Sequence, residues 1–387
     1  MAPPREESAR RIPAMWCRES GMGTEHVDTA DGIMSTSWVS VAFQMCRLWG
    51  LIAATGLATI SAAEAMTLKE VFAQSEQQQR KVLEDTVGRW LLAEDFPDIE
   101  KFANSAREKS LRTSSGLWVI GLVYSGVDSV ANYRKVKDDV GWNRLEAIGK
   151  RWIVAYPASA TAKIVYGTIL QNRAWFYRGG GYANTVSDTQ FAAFYKQVEK
   201  TKRYQLATRN LASVDPNWYM NLLATLRVEK DGRREEFEQT FADAIRGFPD
   251  YYPIYFEAVT YYLPKWKGDA LEVEHFARHV MKSRDERAGK MLYARIYWYA
   301  SQSQFKNGIF RASVARWDDM REGFEAIVSD FPDQWNINHY AKFACLVGDQ
   351  GTTRQAFGMM KGELVKGAWD STEQYEKCQF FAGRRTT

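Results

Sequence analysis

A chain of 387 residues, 45% hydrophobic and 25% charged, is long enough to bury a sizeable core, and its 14% aromatic share argues against a disordered polymer. The formal net charge of +4 is scattered among acids and bases rather than gathered into a block, so a nucleic-acid partner has little support.

The first 65 residues differ from the rest. Residues 1–33 lack apolar periodicity and read as a non-native or disordered extension, with Met34 and Met45 as alternative starts. Arg47 precedes an uncharged run over 48–60, and Ala63-Glu64-Ala65 places small residues where a signal peptidase cuts. The expectation is a signal peptide over 34–65, cleavage near Ala65, and a periplasmic or secreted helical domain over 66–387 with no stable membrane span. An uncleaved anchor in the inner membrane is the alternative, although the uncharged run is short for a span. Cleavage would leave Cys345 and Cys378 as the only cysteines. In an oxidising compartment they could pair and pin the last helix to the body, or they could remain buried thiols.

From there the chain reads as one helix after another. Thr67 with Glu70 forms a capping box that opens a helix reaching about residue 93. Helices over 95–112 and 115–133 are split by Thr113-Ser114-Ser115-Gly116, and those over 142–155 and 159–178 by Tyr156-Pro157. Gly179-Gly180-Gly181 separates the latter from a helix over 188–214, and Asp215-Pro216 caps the next. Helices over 217–229 and 233–248 flank Asp231-Gly232. In 252–281, Tyr252, Phe256, Val259 and Leu263 mark one apolar face, and Pro264 stops the helix. Asp269 with Glu272 then makes a capping box for a second stripe of Val273, Phe276, Ala277 and Val280. Helices over 287–302, 314–331, 334–347, 353–365 and 372–382 complete about fourteen, with no strand.

Tyr156-Pro157, Asp215-Pro216, Phe248-Pro249 and Phe331-Pro332 each fall between two helices. Pro216 and Pro249 lie close to one tetratricopeptide period apart, while the other intervals do not divide cleanly. Helix pairs that cannot bury their faces alone must stack on their neighbours. The expected fold is therefore all-α, an α-α solenoid of degenerate tetratricopeptide-like hairpins, with a compact bundle as the competing architecture.

Four phrases, Tyr156-Pro157-Ala158-Ser159-Ala160, Ala174 through Ala183, Leu263 through Asp269, and Leu292 through Trp298, resemble those of an uncharacterised bacterial domain-of-unknown-function family with tetratricopeptide-like helices. The resemblance spans about 90–345 and implies a helical repeat. It carries no activity to transfer.

Three constellations could carry chemistry. The glycines after Arg178 would let backbone N–H groups approach an anion, but no phosphate-loop lysine and hydroxyl follow, so a tight or left-handed connection is the plainer reading. Glu272, His275 and His279 share one side of a helix and are the best metal candidates; Arg278 and Lys282 beside them favour a solvated face instead. Aromatic and basic residues cluster at Trp175, Arg178 and Tyr182, at Lys265, Trp266, Lys267 and Asp269, and at Arg295, where they could line a groove. No Ser-His-Asp spacing stands out, and no cofactor is implied. The expected function is an exported scaffold or binding protein that holds a protein or peptide in a groove. An enzyme of unknown type, with a pocket between Arg178–Tyr182 and Lys265–Asp269, is the alternative.

Overall fold

The computed structural model describes residues 73–362 and 364–383, together with Val71. The Thr67–Glu70 capping box and the proposed signal peptide lie outside the described residues. The elements below all belong to the compact unit over 72–387.

The described chain is all-helical; its β-bridges, Arg112 with Trp118 and Lys366 with Trp369, are isolated. The principal helices are α1 (Glu76–Ala93), α2 (Phe96–Glu108), α3 (Val119–Val130), α4 (Asp139–Ala155), α5 (Ala160–Arg178), α6 (Asp188–Ala207), α7 (Pro216–Val228) and α8 (Arg234–Gly247). They continue as α9 (Tyr252–Tyr262), α10 (Ala270–Lys282), α11 (Glu286–Ala300), α12 (Trp317–Asp330), α13 (Gln334–Val347), α14 (Gln350–Met359) and α15 (Thr372–Phe381). Neighbours in sequence pack together, α5 on α6, α7 on α8, α10 on α11 and α11 on α12. Alternate helices also stack, α7 on α9 and α9 on α11.

Local chemistry explains most boundaries. Pro216 occupies the first turn of α7, where its missing N–H is no loss, and the Asp215 carboxylate accepts from Asn217 N at 2.9 Å. The same carboxylate, fully buried, also receives Arg107 Nη2 at 2.7 Å and the Tyr124 hydroxyl at 2.8 Å, so one cap locks α2, α3 and α7 together. The Asp269 cap forms, accepting from Leu271 N and Glu272 N, but the reciprocal half of the expected box does not. Glu272 instead accepts from Arg234 Nη1 at 2.9 Å, because a long carboxylate facing a guanidinium on α8 gains more there than from its own backbone.

Several boundaries differ from expectation. The helix expected to run unbroken to about residue 93 is interrupted at 73–75 and restarts at Glu76 behind Ser75, and those expected over 95–112 and 115–133 run Phe96–Glu108 and Val119–Val130. The helix over 188–214 breaks at Thr208 and resumes as a single turn, Arg209–Ala212. The helix expected over 353–365 runs Gln350–Met359, since Asp349 caps it by accepting from Thr352 N. The helix expected over 287–302 loosens after Ala300 into a wide turn at Ser301–Phe305.

The segment 112–118 joins regions distant in sequence. Glu76 accepts from Thr113 Oγ1 and Ser115 N, both at 2.9 Å, while Ser114 donates to Asp333 at 2.7 Å. Trp118 donates to the Asp250 carbonyl, and Asn336 donates to the Ser115 carbonyl. Gly116 has φ +88°, and an added Cβ would lie 2.8 Å from the Phe331 ring, so only glycine fits. At the other end, Cys345 and Cys378 are joined in a disulfide, Cα atoms 5.7 Å apart, which fastens α15 to α13.

Candidate functional site

The C-terminal end of α5 and the turn between α9 and α10 meet. Ala174 is buried with Phe194 and Val198, and Trp175 packs half-buried on that cluster. The gap behind it, bounded by Ala174, Phe194, Val198 and Val228 together with Gln171, Thr201 and Thr225, holds no room for water, so the indole rests on a closely packed backing. Gly179, with φ +75°, ends α5 in a conformation that other residues resist. Arg178 folds over this connection, donating to the Gly179 and Gly181 carbonyls at 3.2 and 3.0 Å. Its guanidinium stands 5.5 Å from the Trp175 centroid and 5.9 Å from that of Phe191.

The opposing turn is shaped by Gly268, where a Cβ would come 2.2 Å from the Tyr262 carbonyl oxygen. Trp266 N bonds to Leu263 O and Lys267 N to Tyr261 O, and this presents the Trp266 ring to Trp175, centroids 6.3 Å apart and planes at 80°. Lys267 lies 5.1 Å over Tyr261. Burial pulls its pKa down, opposed by the Glu229 carboxylate and reinforced by the nearby Arg227 charge. Lys265 reaches the Ser303 carbonyl at 2.7 Å.

Two residues that the sequence did not single out complete the site. The Arg227 guanidinium lies 4.1 Å from the Trp266 centroid, and its Nε donates to Glu257 Oε1 at 2.7 Å. Burial raises the Glu257 pKa, and the Arg227 charge opposes that rise. The available signal was a charge set among apolar neighbours on each helix, Arg227 between Leu226 and Val228 and Glu257 between Phe256 and Ala258. Such charges are costly unless paired.

The structure thus brings Trp175, Arg178, Trp266 and Lys267 together, while Tyr182 and Lys265 are exposed on the two connections that carry them. Asp269 is committed to capping α10. Arg295 does not line this surface. It is 3% exposed, stacked 4.3 Å over Tyr252 and turned toward the Ser115 carbonyl, because every residue from Met291 to Trp298 is packed. Tyr293 and Tyr297, on the same helix, are core residues that donate to the buried Glu274. His275 and His279 are exposed on α10, and Glu272 is engaged by Arg234. Among the described residues no three His, Cys, Asp or Glu side chains gather closely enough to hold a metal. His339, in contrast, is buried between Trp298 and Trp335, ring centroids 4.1 and 4.7 Å away, with Nδ1 bonded to the Trp335 carbonyl.

A cleft of about 390 Å³ opens elsewhere, lined by Leu206, Trp218, Tyr219 and Gln239 among others and by none of the residues at the Trp175–Trp266 face. Comparison of the chain with protein-family models, with curated proteins and with solved structures finds no match. No helix among the described residues is long and apolar enough to cross a membrane.

Proposed function

We propose that this is an exported binding protein, a degenerate α-α solenoid of tetratricopeptide-like hairpins, whose Trp175–Trp266 face holds a protein or peptide partner. The observation that carries the reading is the meeting of two segments from different hairpins, each rich in aromatic and basic residues, at one partly exposed face. Tryptophan and arginine are the side chains that supply most binding energy at protein interfaces. The stacking of α7 on α9 and α9 on α11 supports the solenoid. The Cys345–Cys378 disulfide supports export to an oxidising compartment.

The enzymatic alternative gains little here. Asp269 is spent on a helix cap and Arg178 on two loop carbonyls, and neither is paired with a base or nucleophile. Photo-crosslinking in the native organism tests the binding reading. A crosslinking residue placed at Tyr182 should capture a discrete partner, and one at Val154, an exposed position on α4, should not. Equal capture at both positions, or none at Tyr182, would overturn the reading.

A further inference from the structure

Resting on that reading, we infer that the partner presents a carboxylate to this face, and that it is an acidic peptide. The first ground is a pair of donors without acceptors. Arg227 is 8% exposed, and its Nη1 is buried with no partner; Trp266 Nε1 is in the same condition. The guanidinium and the indole are stacked 4.1 Å apart, so both N–H groups belong to one small region. Buried donors in folded proteins are paired, and a group that answers two of them must offer two acceptor sites; one that also meets the charge of a guanidinium is best negatively charged. An ionised carboxylate is that group, and its bonds to a guanidinium are the strong, charge-assisted kind.

The second ground is charge. Among the described residues, neither Arg178 nor Lys267 has a carboxylate within ion-pair range; Glu257 is engaged by Arg227, and Glu229, whose charge is felt by Lys267, is held at 2.8 Å by Lys202 of α6, which also pairs with Glu236. Lys267 is moreover exposed, so it can meet an incoming anion before neighbouring side chains shift to uncover the two shielded N–H groups. The aromatic rings of Trp175, Phe191 and Trp266 then offer flat apolar surface for the remainder of an extended chain. Positive charge, unanswered donors and aromatic surface together fit a peptide with acidic side chains better than a basic or neutral one.

The test uses the full chain and fluorescein-labelled hexaglutamate, with the C-terminus free or amidated, read by fluorescence anisotropy. Amidated hexaglutamine is the neutral control and oligogalacturonate the carboxylate-bearing sugar control. Hexaglutamate is expected to bind and hexaglutamine not. Retention after amidation is expected, because the side-chain carboxylates remain; loss would assign the contact to the terminal carboxylate and overturn the acidic peptide. Trp266→Phe keeps the ring and removes the N–H, and Lys267→Gln removes an exposed charge. Each should weaken binding about tenfold, as loss of one charge-assisted bond would. Equal binding of hexaglutamine, preference for oligogalacturonate, no binding of hexaglutamate, or wild-type affinity in both variants would overturn the inference. If hexaglutamate fails while Tyr182 still crosslinks a partner, the carboxylate is wrong and the binding face stands. If no crosslink forms, the face itself is wrong.

Discussion

Arg227 lies 4.1 Å over the ring of Trp266 while its Nε holds Glu257 at 2.7 Å, so one guanidinium both orients the aromatic turn and neutralises a buried acid. The side chains are 10% and 17% exposed, and removal of one partner strands the other charge. Arg227→Leu is expected to cost about 3–5 kcal/mol, and Glu257→Leu in the same background should recover much of it, since a buried ion pair replaced as a pair is often neutral. Urea unfolding of the two single variants and the double variant reads this directly. Additive losses would show that the pair is not coupled.

The disulfide closes a span of 33 residues between α13 and α15. Loop-entropy arguments give such a bridge about 3–4 kcal/mol. Its effect should be local, because α15 has few buried side chains of its own apart from Cys378. Reduction, or Cys378→Ser, is expected to release amide protection in α15 and α14 while α5 to α11 keep theirs. Hydrogen exchange followed by mass spectrometry checks this, and unchanged protection in α15 would refute it.

Helix existence was legible in the sequence because periodicity and caps are local. Asp215-Pro216, the Pro264 stop and the Asp269 cap all formed. Where a boundary slipped, a cap could decide it, as Asp349 starts α14 at Gln350; where the box at Asp269 was only half made, tertiary contact decided it, since Glu272 left its own backbone for Arg234 on another helix. The aromatic half of the candidate face was legible as residue types, but its assembly was not, since nothing local places Trp175 beside Trp266. Arg295 illustrates the converse. Its charge suggested a surface, whereas the helix around it is buried on all sides, and the cost is partly met by Tyr252 and the Ser115 carbonyl. The segment 113–116 read only as a break between helices, and its role in joining Glu76, Asp333 and Asn336 depends on contacts that no spacing encodes.

Gly268 sets the height of the turn that carries Trp266. A methyl group there would meet the Tyr262 carbonyl oxygen at 2.2 Å, a backbone atom that cannot rotate away. Gly268→Ala should therefore displace the turn and cost about 1–3 kcal/mol, the usual range for overpacking. Gly247→Ala, where nothing lies within 4 Å of the added methyl, is the matched control and should be neutral or slightly stabilising. Thermal unfolding of both compares them, and equal melting temperatures would remove the steric argument.

The half-buried Asp128 and the buried His339 give stability opposite pH slopes in the acid range. Burial raises the Asp128 carboxyl from 3.8 to about 6, aided by the Glu84 charge and opposed by the Asn172 N–H bonded to it at 2.8 Å. The folded state therefore holds this proton more tightly than the unfolded chain, and stability falls as pH rises from about 4 to about 6. Burial holds His339 well below its usual value, with the Lys342 and Arg80 charges adding to the effect and the Trp335 carbonyl opposing it. There the unfolded chain binds the proton first, so stability falls as pH drops below about 6.5. Asp128→Asn keeps an acceptor for Asn172 and removes the ionisation cost. At pH 7 it should exceed the wild type by up to about 3 kcal/mol, the equivalent of two pKa units. Below pH 6 its advantage should shrink, leaving the His339 slope exposed as a steeper loss toward acid. Urea denaturation midpoints from pH 4 to pH 7 test both signs, and a constant gap between variant and wild type across that range would mean that Asp128 does not titrate there.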